Sequence, residues 1–119
     1  MMFIKRNFNK YGAKKTIFNG ITYDSKKESR RGAKLEFLQR VGQISNLQRQ
    51  VSFVLQDGFV NNKGEKIRPI TYIADFVYEQ DGKMIVEDVK SPATITEVYK
   101  IKRKLFMHKF PGYFFFEKI

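Results

Sequence analysis

Residues 71–91 read TYIADFVYEQDGKMIVEDVKS, and two runs that otherwise look like buried strand carry Asp75, Asp88 and Lys90. A charge in the middle of an apolar strand costs several kcal/mol unless it is paired or bound to a metal, so these three residues call for a common task. A strand period of two puts Met84, Val86, Asp88 and Lys90 on one face of residues 83–90 and Ile85, Glu87 and Val89 on the other. The same period groups Ile73, Asp75 and Val77 in residues 70–79. With Gln80-Asp81-Gly82 as the turn between the runs, Asp75 falls within reach of Asp88. Two carboxylates a few ångströms apart repel unless a cation lies between them, and oxygen donors favour a hard divalent ion, Mg²⁺ with Mn²⁺ as a substitute. The Lys90 ammonium adds a charge able to orient an attacking water or to offset negative charge on a phosphoryl group. An Asp-Lys surface pair at a strand end is the plain alternative.

The flanking sequence supplies the elements that must hold these residues. Asn19-Gly20 between alternating apolar residues predicts a short hairpin over 16–24. Ser25 caps a helix predicted over 25–41 and stopped by Gly42, with Leu35, Leu38 and Val41 as its apolar stripe, supported by Ala33 and Phe37. A strand follows in 44–56, with Val51, Phe53 and Leu55 on one face, and residues 57–69 read as a loose hairpin tip. Strands at 70–79 and 83–90 make an antiparallel hairpin that Pro92 ends. A second helix is predicted over 96–108 with Val98, Ile101, Leu105 and Phe106 as its packing stripe, and YFFFEK at 113–118 closes the chain as a strand.

In this order, YGAKKTIFNGITYDSKKE, YIADFVY, IVEDVK and EVYKIKRKLF resemble a small family of phage and prophage proteins with the nuclease core of the PD-(D/E)xK superfamily. Ala74-Asp75 stands in place of the Pro-Asp pair, and Asp88-Val89-Lys90 is the (D/E)xK triplet. The resemblance covers residues 11–118 and implies an α/β fold: a restriction-endonuclease-like core with a mixed β-sheet flanked by helices. It implies Mg²⁺-dependent hydrolysis of DNA phosphodiesters, with Asp75, Asp88 and the Val89 backbone carbonyl holding the ion and Lys90 positioning the water. It also points to an acidic residue from the first helix, Glu28, as a metal-associated group. The residues themselves offer a second role for Glu28, since Ser25-x-x-Glu28 is a capping box. Branched DNA of the Holliday-junction type, recombination or genome processing, and a bacterial host cytoplasm belong to the same implication.

Lys and Arg number 23 against 12 Asp and Glu, a formal net charge of +11, which points to a polyanionic partner, with DNA or RNA ahead of a membrane surface. Residues 1–15 read as a basic arm carrying Lys5, Arg6, Lys10, Lys14 and Lys15, followed by a single domain over 16–119. In the second helix Lys100, Arg103 and Lys104 can meet successive phosphates, and His108, the only histidine, reads as a helix-end residue or incidental phosphate contact. There is no cysteine, which excludes disulfides and thiolate chemistry, and no apolar run approaches the roughly 20 residues of a membrane span. The start lacks the apolar stretch of a signal peptide, so a cytoplasmic protein is expected. One site per 119-residue chain implies a homodimer if both strands of a junction are cut. A binding module that kept this fold without cleavage, or an interaction protein docking through its aromatic C-terminal strand, stands beside the nuclease reading, and a divalent-ion titration separates them.

Overall fold

The computed structural model describes residues 26–119, together with the backbone of two short strands, β1 (Thr16–Phe18) and β2 (Ile21–Tyr23), which pair antiparallel. The turn expected at Asn19-Gly20, the cap at Ser25 and the basic arm of residues 1–15 lie outside the described residues. Helix α1 (Lys26–Arg40) ends where expected, because Gly42 takes a φ of 82° that a side chain would resist. Its amide then bonds to the Gln39 carbonyl and the Gln43 amide to that of Leu38, which satisfies two of the helix's last carbonyls.

Four strands form the main sheet in the order β3 (Ser45–Gln56), β6 (Ile70–Gln80), β7 (Lys83–Val89), β8 (Tyr113–Lys118). The first three are antiparallel and β8 is parallel to β7, so the sheet is mixed. Asp81 and Gly82, at φ 53° and 76°, make the tight β6–β7 turn that the Asp-Gly pair announces. The parallel pairing requires a crossover, supplied by a single turn at Pro92–Thr94 and helix α2 (Glu97–Lys109), in whose first turn the Tyr99 amide donates to Thr96 Oγ1. Between β3 and β6 the expected loose tip is more ordered than its composition suggests. Strands β4 (Phe59–Val60) and β5 (Lys66–Ile67) pair there, and Asn61 Oδ1 accepts from the amides of Lys63 and Glu65.

The helices lie against opposite faces of the sheet, each over its own apolar cluster. On the α2 side Phe53, Leu55, Tyr72, Ala74, Val77, Val86, Tyr99 and Phe106 are buried together. On the α1 side the cluster is Leu35, Ile44, Phe76 and Tyr78. This is the α/β, restriction-endonuclease-like arrangement expected from the sequence, a mixed sheet flanked by two helices.

Three face assignments need correction. Alternation grouped Val77 with Ile73 and Asp75, yet Val77 packs with Tyr72 and Ala74, so the strand changes phase around Asp75. In α2 the aliphatic stripe is not the packing face: Val98, Ile101 and Leu105 are exposed, while Tyr99 and Phe106 are buried. Aromatic area decides this, because Phe106 meets Phe53 and Phe110 at ring separations of 4.9 and 5.1 Å, and large rings outweigh a row of aliphatic side chains. In α1 Phe37 and Val41 are likewise exposed, and the buried line runs through Glu28, Gly32 and Leu35.

Beside that apolar contact, an ionic clamp fixes α1 to the sheet. Glu87 is fully buried, and its carboxylate receives Arg31 Nε at 2.5 Å, Arg31 Nη2 at 2.9 Å and the Tyr78 hydroxyl at 2.7 Å. These bonds raise the Arg31 guanidinium above its ordinary value despite the opposing effect of burial, and burial followed by the bond to Glu87 pushes the Tyr78 phenol up. Removing one partner strands the other as a buried unpaired charge. Arg31→Met is therefore expected to lower unfolding stability by about 3–5 kcal/mol in urea titrations, and adding Glu87→Gln to it recovers part of that loss.

Candidate active site

The register of β6 with β7 runs from Gln80↔Lys83 to Phe76↔Glu87 and no further. Beyond that point side chains take over from the backbone ladder. The Asp75 amide donates to Asp88 Oδ1 at 3.0 Å, and the Val89 amide donates to Asp75 Oδ2 at 2.9 Å. Each carboxylate thus caps the neighbouring strand where the two strands part. Both are almost wholly buried, at 5% and 2% exposure, so without these donors the desolvation cost would be prohibitive.

Asp88 has a further donor in the Tyr72 hydroxyl, bonded to Oδ2. Burial first, then the charge of Asp88 and this bond, push the Tyr72 phenol far above its ordinary value, which keeps it protonated as a hydrogen-bond donor to Asp88. The phase change of β6 has a counterpart in β3. Gln50, between the pairs Arg49↔Phe76 and Val51↔Ala74 and hence across from Asp75, has a φ of 54°. Such a conformation is uncommon for a residue with a side chain and collects at sites under constraint.

The separation of the strands opens a cleft of about 300 Å³ lined by Asp75, Asp88, Lys90, Thr96, Tyr99 and Lys102, among others. Lys90 follows the last residue of β7, and its Nζ sits 4.0 Å from the centroid of the Tyr99 ring, a cation–π contact that holds the ammonium in the cleft. The Lys90 backbone is pinned on both sides, its amide to the Lys118 carbonyl at 2.8 Å and its carbonyl to Lys27 Nζ at 2.7 Å. Tyr99 is held in turn by its hydroxyl, 2.6 Å from Glu117 Oε2, and that same carboxylate binds Arg103. Burial raises the Tyr99 phenol, with the bond to Glu117 adding to the effect.

The structure therefore brings together Asp75, Asp88 and Lys90, and places the Val89 amide on Asp75. Glu28 is not among the cleft-lining residues. It is buried in the first turn of α1 and accepts from Nε2 of Gln50, the residue across from Asp75, at 2.9 Å. Among the described residues no group of three or more His, Cys, Asp or Glu is arranged to hold a metal. Two buried carboxylates are nevertheless an oxygen donor set that suits Mg²⁺, which is commonly held by one or two carboxylates and completed by water and phosphate. Of the expected phosphate contacts, Lys100, Arg103 and Lys104 line a second cleft of about 520 Å³ with Met107, Phe115 and Glu117. Arg103 is committed to Glu117 there, and Lys100 lies 3.1 Å from Glu97. His108 is exposed in the last turn of α2. Lys5, Arg6, Lys10, Lys14 and Lys15 lie outside the described residues.

Sequence reasoning passed over Tyr72, Tyr99 and Lys102. The signal for the last two was present, since Tyr99 and Lys102 are three apart in a helix and share a flank. Tyr72 gave none, because β6 changes phase between it and Asp75.

Residues 8–115 match the family described as "Protein of unknown function (DUF1064)". The chain belongs to this family. No curated protein and no solved structure matches it. The family's α/β core, as this chain displays it, is compatible with a nuclease-like superfamily, and among the described residues no helix is long and apolar enough to cross a membrane.

Two tests address the geometry alone. Tyr72→Phe removes the hydroxyl from Asp88 and should lower stability by about 1.5–3 kcal/mol in urea unfolding, the usual worth of a hydrogen bond to a charged group. Burial alone would raise the Glu117 carboxyl, but its bonds to Tyr99 and Arg103 and the Arg103 charge outweigh that and hold it below its ordinary value of 4.5. A depressed carboxyl contributes stability above its unfolded value that is lost as pH falls through the folded one. The melting temperature should accordingly drop as pH goes below 4.5, and Glu117→Gln should reduce that drop while lowering stability at neutral pH.

Proposed function

We propose that this protein is a metal-dependent endonuclease of the PD-(D/E)xK type, hydrolysing phosphodiester bonds of DNA. The observation that carries the reading is the pair of buried carboxylates, Asp75 and Asp88, that cap the parting strands β6 and β7 and open with Lys90 onto one cleft. A purely structural pair would not need a cation held beside it in a concavity, whereas phosphoryl chemistry needs both.

Asp75 and Asp88 would hold Mg²⁺, or Mn²⁺ in its place, with the Val89 carbonyl as a third oxygen. A divalent ion bound there supplies Lewis-acid polarisation of the scissile phosphate and lowers the pKa of a bound water. Lys90 positions the attacking water and faces the charge that grows on the phosphate, with Tyr99 fixing its ammonium. Lys102, on the α2 wall of the cleft, binds a neighbouring phosphate. Tyr72 keeps Asp88 oriented as an acceptor. Glu28 acts through Gln50 on the strand facing Asp75, as a positioning residue that tunes the ion's surroundings. The substrate is DNA read by phosphate and shape, with branched DNA of the Holliday-junction type and phage recombination or genome processing in a bacterial cytoplasm as its setting. A homodimer would supply the two sites that symmetric junction cutting requires.

Lys90→Met keeps the stem and removes the charge, so folding should survive while cleavage of linear, nicked and four-way-junction DNA falls by at least about a hundredfold, the scale on which lost electrostatic stabilisation acts. Asp88→Asn can still accept from the Asp75 amide and meet the Tyr72 hydroxyl, so the chain should fold, bind DNA as well as the parent, and lose both Mn²⁺ binding and cleavage. Full activity in chelator, or undiminished cleavage by both variants, would eliminate this mechanism, and no cleavage by the parent with either ion would return the protein to a binding module.

A further inference from the structure

The face of the sheet opposite the two aspartates carries an aromatic pair that the core does not use. Along β8 Tyr113, Phe115 and Glu117 turn inward on the α2 side, while Phe114, Phe116 and Lys118 are exposed. Phe114 is 53% exposed and Phe116 43%, values more typical of polar surface than of rings that dominate cores. Single exposed apolar residues need no explanation, but two rings at consecutive same-face positions of an edge strand form a platform. Cations surround it: Lys83 Nζ lies 5.1 Å from the Phe114 centroid and the Arg31 guanidinium 5.9 Å from that of Phe116. Beyond Phe116 the same face continues into a concave cleft of about 410 Å³ whose described lining is Lys27, Arg30, Arg31, Lys34 and Lys118, with no acidic residue among them. Arg31 is committed to Glu87 and the Lys27 ammonium bonds the Lys90 carbonyl, so Arg30, Lys34 and Lys118 stand with Lys27 as the cations that can serve an anion.

We propose that Phe114 and Phe116, with the cleft of Lys27, Arg30, Lys34 and Lys118, form a binding platform for single-stranded nucleic acid. Unpaired bases stack on the two rings, and the backbone lies along the cations of the cleft. Every base has a π-face, so this pairing of exposed rings with a basic track suits a single strand without selecting a sequence. A duplex offers the phosphates but not the base faces. A second copy of this chain would bring the same positive charge to the same surface, and a flat bilayer cannot follow a concave cleft. The path is also continuous with the candidate site: Lys27 and Lys118 of the cleft both bond to the Lys90 backbone. A strand leaving the region of Asp75 and Asp88 thus has a charged route around the sheet edge to the rings. The proposal rests on the nucleic-acid reading above but not on hydrolysis.

The test uses the full chain in chelator, with fluorescence anisotropy on a labelled oligothymidylate and on a blunt duplex of equal length. The Phe114→Ala, Phe116→Ala double variant should lose at least about tenfold in affinity for the single strand and no more than about twofold for the duplex, since stacking is worth most where bases are unpaired. The parent chain has no tryptophan, so Phe116→Trp places a sole indole on the platform. Its fluorescence should be quenched saturably by the single strand, little by the duplex, and not at all by vesicles of anionic phospholipid. Equal affinity of the double variant and parent for the single strand, equal loss on both nucleic acids, or an indole response to vesicles in place of DNA would each overturn the platform. Because nothing is cut in chelator, ring-dependent binding by a protein that never cleaves DNA leaves the platform standing and removes the nuclease. Cleavage without ring dependence does the reverse.

Discussion

Three carboxylates, Asp75, Glu87 and Asp88, are buried in the β6–β7 hairpin within one layer of the sheet, and each must be satisfied for this fold to exist. Because successive strand residues face opposite sides, neighbouring Glu87 and Asp88 set their charges on opposite faces. The α1 face solves its problem with a counter-ion: Arg31 meets Glu87 in a two-pronged contact, Tyr78 adds a third bond, and a helix is docked as a result. On the α2 face the donors include two backbone amides and a tyrosine hydroxyl. One carboxylate is neutralised and structural. The other two, each hydrogen-bonded, stand beside a cleft as an oxygen donor set that a divalent ion suits.

The geometry at Asp75 and Asp88 also explains why the strands part there. A carboxylate that accepts an amide of the neighbouring strand replaces a ladder bond with a longer side-chain bridge, and the backbones move apart to admit it. The left-handed Gln50 across from Asp75 and the change of phase in β6 belong to the same distortion. That distortion makes room for the cleft. Regular pairing through Asp75 would have closed it.

How much of this the sequence carried follows from which forces are local. The Asp-Gly turn and the Gly42 helix stop are set by φ preferences within a few residues, and both stand as read. The convergence of Asp75, Asp88 and Lys90 was legible too, because a two-residue turn fixes the register. The face of α2 was not. Periodicity showed an aliphatic stripe at Val98, Ile101 and Leu105, but the winning face depends on rings brought from β3 and β8, far away in the chain. The partner of Glu87 was hidden for the same reason, since Arg31 lies 56 residues earlier. Alternation rightly placed Glu87 away from Asp88, yet nothing local tells a clamped carboxylate from an open one.

The parallel insertion of β8 ties these parts together. As the edge strand beside β7 it shares the register Asp88↔Glu117 and Glu87↔Phe116, so its two faces extend the two faces of β7. On the α2 side Glu117 holds Tyr99, and Tyr99 holds the Lys90 ammonium over the cleft. On the α1 side Phe116 lies against the Arg31 that clamps Glu87. A strand added in antiparallel fashion could have come from a short hairpin, but it would not have required α2 as its crossover. The wall of the cleft, with Thr96, Tyr99 and Lys102, is therefore a consequence of the direction in which β8 runs. In a chain of 119 residues one edge strand completes the sheet, brings in the helix that walls the site, and presents a charged aromatic surface to solvent.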